Sequence, residues 1–223
     1  MSAAMGTNTE KSTVIRGAKR ASYDEESIYK ILDASFLCHV GFTVNDEARI
    51  IPTAYVRIEN SIYIHGNIKN QMMTVLLSGQ TACVEVTIVD GMVLGRSAFH
   101  HSVNYRSVVF FAKAEAVKGQ DKPKILDALI EHYVPGRSTY IRDHLEKELE
   151  ATLVLKLEID EASAKIRGGP PADNEKDYEL DTWAGVLEIK SVIENVHPCP
   201  RLKKDVQVPD HVIQFCEKFK FTV

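Results

Sequence analysis

The four cysteines, Cys38, Cys83, Cys199 and Cys216, include no CxxC pair, so the chain offers neither a zinc knuckle nor a dithiol redox motif. Cys38 and Cys83 fall inside apolar runs, where reduced, buried thiols are the rule; the pattern argues against a disulfide framework and for a reducing, cytoplasmic setting. No apolar run has the length of a membrane span, and residues 1–20 lack the apolar centre of a secretory signal. Glycine is also absent where a nucleotide fold would need it. There is no GxGxxG and no Walker loop, which disfavours a doubly wound sheet. Positive charge is not in excess: 27 Lys and Arg stand against 31 Asp and Glu, a net charge of -4. That balance excludes a dominant nucleic-acid or anionic-membrane partner, though a local basic cluster can still hold a phosphate. No internal repeat is present.

What the chain does contain is β-branched alternation. Strands are expected over 36–44, 49–58, 61–65, 81–89, 92–94, 105–117, 151–159 and 183–189. Asn45-Asp46 marks a hairpin turn, and Asp90-Gly91 is read as a second turn. Helical spacing appears over 23–35, with Ser22 or Asp24 as cap, and over 69–78, 121–134 and 212–219. Strands in hairpin order with a few short helices point to a mainly β (α+β) fold whose antiparallel sheet closes. The length suits one large domain over 21–190, a flexible lead-in over 1–20 and a C-terminal extension over 191–223 packed on the barrel.

The densest chemistry lies at 97–107, where Phe99, His100, His101, Asn104, Tyr105, Arg106 and Ser107 lead straight into the apolar run Val108-Val109-Phe110-Phe111. Polar groups beside a core strand need partners, and an anionic aromatic ligand would supply them. Arg96 and Arg106 are candidate anion donors and Tyr105 a stacking or donor group. Ile51-Pro52-Thr53-Ala54-Tyr55 puts proline in a strand, which means an edge or bulge with backbone groups open to a ligand; an ordinary edge strand is the plainer reading. His65-Gly66-Asn67-Ile68-Lys69-Asn70-Gln71 reads as strand, close-approach glycine and helix start, a pattern that suits a phosphate or is a plain turn capped by Asn67. Ser163-Ala164-Lys165-Ile166-Arg167 sets two cations on one strand face before the Gly168-Gly169-Pro170-Pro171 loop. With Trp183, these cations form either a solvated face or the border of an anionic aromatic ligand. The adjacent His100-His101 pair points to opposite sides of a strand and matches no metal spacing.

Seven segments in order, Cys38-His39-Val40-Gly41-Phe42, Ile51-Pro52-Thr53, Ile64-His65-Gly66, Arg96-Ser97-Ala98-Phe99-His100-His101-Ser102, Asn104-Tyr105-Arg106-Ser107-Val108, Ser163-Ala164-Lys165-Ile166-Arg167 and Trp183-Ala184-Gly185-Val186, resemble the pyridoxamine 5'-phosphate oxidase-like FMN-binding split-barrel family, in its flavin-nucleotide-binding and nitroimidazole-reductase-like branch. The resemblance implies an antiparallel split β-barrel with short peripheral helices, a homodimer, and FMN in a cleft between the subunits. It implies an oxidoreductase acting on a small-molecule substrate. By position, Pro52, Thr53 and Ala54 would line the flavin ring. His65, Gly66, Asn67, Lys69, Asn70 and Gln71 would approach the ribityl chain and phosphate, and Tyr105, Arg106 and Ser107 would complete the pocket. Lys165, Arg167 and Trp183 would lie on the ring or substrate side, and His65 would exchange a proton near neutral pH. No residue is singled out as catalytic beyond that, and no metal ligand set is expected. Two alternatives stay open: a haem-binding member using one of His39, His65, His100, His101, His197 or His211, and a non-catalytic flavin-binding protein. Relatives carry an Arg entering the helix where this chain has Asn70-Gln71, which leaves Lys69 as the nearest cation.

Overall fold

The computed structural model describes residues 10–219, so the first nine residues of the expected lead-in and the last four of the extension lie outside it. In chain order the regular elements are β1 (Ala21–Ser22), α1 (Glu25–Asp33), β2 (Leu37–Val44), β3 (Glu47–Ile58), β4 (Ser61–Asn67), α2 (Gln71–Leu77), β5 (Thr81–Leu94), β6 (Ser102–Ala116), α3 (Asp121–Tyr133), α4 (Glu146–Glu150), β7 (Thr152–Glu158), β8 (Ala162–Arg167), β9 (Gly185–Glu188) and α5 (Asp210–Lys218).

The hairpin logic of the sequence sets the local turns. Asn45 and Asp46 both have positive φ (51° and 64°), as a two-residue primed turn requires, and they join β2 to β3. Asp24 caps α1 by accepting a hydrogen bond from the Ser27 amide at 2.8 Å. One face of α1, Ile28, Ile31 and Leu32, is fully buried.

The sheet runs β1-β8-β6-β7-β4-β3-β2-β5-β9 and closes through an added β5–β6 pairing. The ring β6-β7-β4-β3-β2-β5 is a six-stranded barrel, so the expected mainly β split-barrel class holds. Alternate residues point inward: Cys38, Val40 and Phe42 from β2, Val84 and Val86 from β5, and Val108 and Phe110 from β6, joined by Met72, Met73 and Leu76 of α2. Tyr55 is fully buried there, and its hydroxyl donates to the Leu32 carbonyl of α1. Burial pushes the Cys38 thiol up to about 12, the behaviour of an inert core cysteine.

Two readings need correction. Asp90-Gly91 is not a turn: β5 continues to Leu94 and absorbs a register shift between Val89 and Gly91 against β6. Gly91 is required because β9 pairs there, and a Cβ at this position would stand 2.8 Å from the Leu187 carbonyl oxygen. The cap of α2 is Asn70, whose side chain accepts from the Met73 amide at 3.4 Å; Asn67 instead accepts from the Lys69 amide at 2.9 Å in the preceding turn.

Candidate functional site

The edge expected at Pro52 is real. β3 pairs with β2 over 47–54 but meets β4 only from Tyr55 onward. The Tyr55 amide donates to the Phe36 carbonyl on the β2 side, and amides alternate along a strand. Pro52 therefore turns its missing N–H to the unpaired edge, where the sheet loses nothing. The far part of the β2–β3 hairpin projects past the barrel, with Ile50 70% exposed and Ile51 36% exposed. Its outer face, with β5 and β6, walls an apolar groove of about 920 Å³ that includes His39, Gly41, Ile50, Cys83 and Phe111. His39 Nδ1 lies 3.3 Å from a Glu85 carboxylate oxygen in that groove.

Around the start of α2 the structure gathers most of the proposed phosphate end. Gly66 packs tightly: a Cβ there would lie 3.0 Å from Met73 Cγ, a fully buried side chain. The turn is held by Asn67 and Asn70, not by His65, so His65 is free of the capping role. Burial of part of its ring holds the His65 pKa below the ordinary imidazole value. Lys69 is exposed, as is Gln71. A cation reaches the helix entry from elsewhere: Arg49 of β3 lies with Nη1 3.4 Å from Gln71 Oε1, while its Nη2 lies 3.4 Å from a Glu47 carboxylate oxygen. Sequence spacing gave no sign of this, because the contact crosses the sheet; the only available signal was a cation on the same strand as Pro52.

The second group assembles on β6 and β8. Tyr105 pairs with Arg167 and Ser107 with Lys165, which brings four proposed residues onto one patch. Arg106 is already engaged, its guanidinium held by both Asp90 carboxylate oxygens at 2.8 and 2.7 Å. Arg96 is likewise committed to Asp173, at 3.0 Å through Nη1 and 2.9 Å through its amide. Arg167 is buried and donates through Nη1 to the Asn104 side-chain oxygen. Burial and the nearby Arg20 charge both lower its pKa. Trp183 is 66% exposed and rests over Gly185 at the β9 end of the sheet.

The two groups do not share a pocket in one subunit. Pairing runs Pro52–His39–Glu85–Val109–Ser163 across successive strands, four strand spacings or roughly 19 Å measured along the curved sheet. Among the described residues no cluster of His, Cys, Asp and Glu could hold a metal ion, and no helix is long and apolar enough to cross a membrane.

The model of the family described as pyridoxamine 5'-phosphate oxidase matches residues 24–166, the stretch that builds the barrel; Arg167 and Trp183 lie just beyond it. The chain belongs to that family. Two solved structures extend the likeness over most of the chain. The flavocytochrome Anf3 from Azotobacter vinelandii is 35% identical, with a TM-score of 0.88 over 96% of this chain and 98% of that one. The FAD and haem binding protein from Mycobacterium smegmatis is 31% identical, with a TM-score of 0.85 over 87% of this chain and 96% of that one. No curated protein matches the sequence.

Proposed function

We propose that this protein is a flavin-dependent oxidoreductase for a small molecule, working as a homodimer with flavin held between two copies. The observation that carries the reading is the separation of the two residue groups within one subunit, combined with a projecting apolar hairpin and an unpaired β3 edge. A second copy placed over that hairpin buries Ile50 and Ile51 and lets the Pro52 edge of one subunit face the Tyr105 and Lys165 patch of the other. The residues fit a flavin. The strand edge presents backbone groups that suit the polar rim of the ring, Gly66 keeps the backbone bare, and Lys69 with Arg49 supplies positive charge beside α2. Flavin, when bound, supplies the redox chemistry. The protein orients it, excludes water beneath the hairpin and offers His65 as a proton donor or acceptor.

The flavin is FMN or the FMN half of FAD, and the 31% identical FAD and haem binding protein supports FAD. Titration with riboflavin, FMN and FAD, followed by fluorescence quenching, tests this; binding of none of them rejects the reading. Bound flavin with no turnover under any reductant, with nitro compounds or pyridoxamine phosphate as partners, selects the non-catalytic alternative.

A specific observation favours haem as a second ligand. His39 turns Nδ1 to Glu85, as metal-bound imidazoles commonly do toward a carboxylate, and its ring lines an apolar groove. The residues present fit a haem that His39 would hold, and both solved structures described above carry flavocytochrome or haem in their names. Haemin should give a Soret band that His39→Ala abolishes and His101→Ala leaves intact. The same band in His39→Ala moves the ligand elsewhere.

A further inference from the structure

Arg167 ends β8 with 8% of its surface exposed, and no carboxylate among the described residues pairs with it. Its Nε is buried without an acceptor. The charge acting on it is Arg20, of the same sign. A buried guanidinium in this condition is unfavourable unless something negative completes it.

Beside it lies a groove of about 790 Å³, walled by Asn104, Gly168, Gly169 and Pro170 on one side and by Val186 and Lys190 on the other. The other charges of the groove are matched. Arg106 is held by Asp90 at 2.7 Å, and Lys190 lies 3.7 Å from Glu188. Arg167 is therefore the surplus charge. Its surroundings are also preorganised. Asn104 donates to the Gly169 carbonyl at 3.1 Å, which turns its own oxygen toward Arg167. The strap that follows β8 is fastened further on by the Asp173 carboxylate, fully buried against Arg96. Tyr105 stands opposite Arg167 in the sheet, outside the lining of this groove.

We infer that Arg167, Asn104 and the Gly168–Gly169 backbone form an oxyanion site that takes the phosphate or carboxylate of a small-molecule ligand. A planar guanidinium with an unpaired Nε suits both groups. The inference goes beyond the flavin reading and does not need it, because the site is complete in one subunit. The oxyanion has two sources, the phosphate of a flavin nucleotide or a group on a separate substrate.

Inorganic phosphate is the first probe. Calorimetric titration of the purified protein, and melting in phosphate against chloride at matched ionic strength, should show binding and a phosphate-dependent rise in Tm. Arg167→Met should bind phosphate at least about tenfold more weakly, the loss expected for a charge-assisted hydrogen bond. Its Tm in chloride should be no lower than wild type, since an unpaired buried charge has gone. Wild-type protein that ignores phosphate overturns the site, as does an Arg167→Met protein that binds it equally well. Should Arg167→Met not fold, Gly168→Asp serves instead. A Cβ at Gly168 meets nothing within 4 Å, and the new carboxylate should occupy the site, raise Tm in chloride and remove the phosphate effect. Undiminished phosphate binding in that variant also overturns it. Riboflavin, FMN and FAD then separate the sources: selective weakening of FMN or FAD in Arg167→Met assigns the oxyanion to the cofactor, and unchanged flavin binding assigns it to a substrate. Failure of all flavins to bind rejects the flavin reading and leaves the phosphate result standing.

Discussion

At the scale of single residues, environment decides what a side chain can do. His65 shows the sign of the effect. Burial disfavours its charged form, so its folded pKa lies below the ordinary imidazole value of about 6.5. The unfolded chain then binds the proton more readily, and stability falls as pH drops through that value toward the lower folded pKa. Urea unfolding at pH 7.5 and pH 5 should show a smaller loss in His65→Asn than in wild type; parallel losses would show that His65 is not the group responsible. In the same comparison, an unchanged Tm at pH 7.5 with altered flavin affinity supports the functional role over a purely structural one. Cysteines follow the same logic. Cys38, fully buried with its thiol pushed up to about 12, should resist a thiol reagent until the protein unfolds, whereas exposed Cys199 reacts in the native state. The residue types of the site were legible in the sequence, but their engagements were not. Nothing local to Arg106 announces that Asp90, sixteen positions earlier, has taken its guanidinium, and nothing near Gln71 announces Arg49.

Elements form where local signals agree, and they fail to be read where tertiary contact overrides them. The α1 helix has its cap, its acidic first turn and its apolar face in register. Asp24→Ala should cost about 1 kcal/mol in chemical denaturation, the usual value of a lost cap; no change would mean that packing alone sustains the helix. The Asp90-Gly91 pair has the chemistry of a turn, yet β6 holds β5 straight on one side and β9 approaches on the other. Gly91→Val should therefore free residues 185–188, seen as faster amide exchange there, while the barrel amides stay protected. Gly66→Ala belongs to the same class. Met73 is fully buried and would have to shift within the core, so a loss of about 1 kcal/mol is expected.

For the whole molecule, the informative feature is the surface that one chain leaves uncovered. A strand with isoleucines exposed on both faces and an unpaired edge is a liability for a monomer and an asset at an interface. Ile50→Asp should lower the mass measured by light scattering at micromolar concentration from a dimer to a monomer and weaken flavin binding with it. A wild-type protein that is strictly monomeric, or a monomeric variant that binds flavin unchanged, would refute the shared site.

Although β1 and the unbroken course of β5 were not legible in the chain alone, most strands, the β2–β3 hairpin, the closed antiparallel class and the residue types of the ligand region were. Each of these rests on short-range chemistry: alternation of period two, turn residues with positive φ, and caps. Which of the proposed residues meet is settled by the three-dimensional packing. Strand order sets Pro52 and Arg167 four strands apart, and packing commits Arg106 and Arg96 to carboxylates and leaves Arg167 buried without one among the described residues. Those outcomes depend on strand register and on which side chain reaches across the sheet, and such long-range pairings leave no periodic trace in the chain.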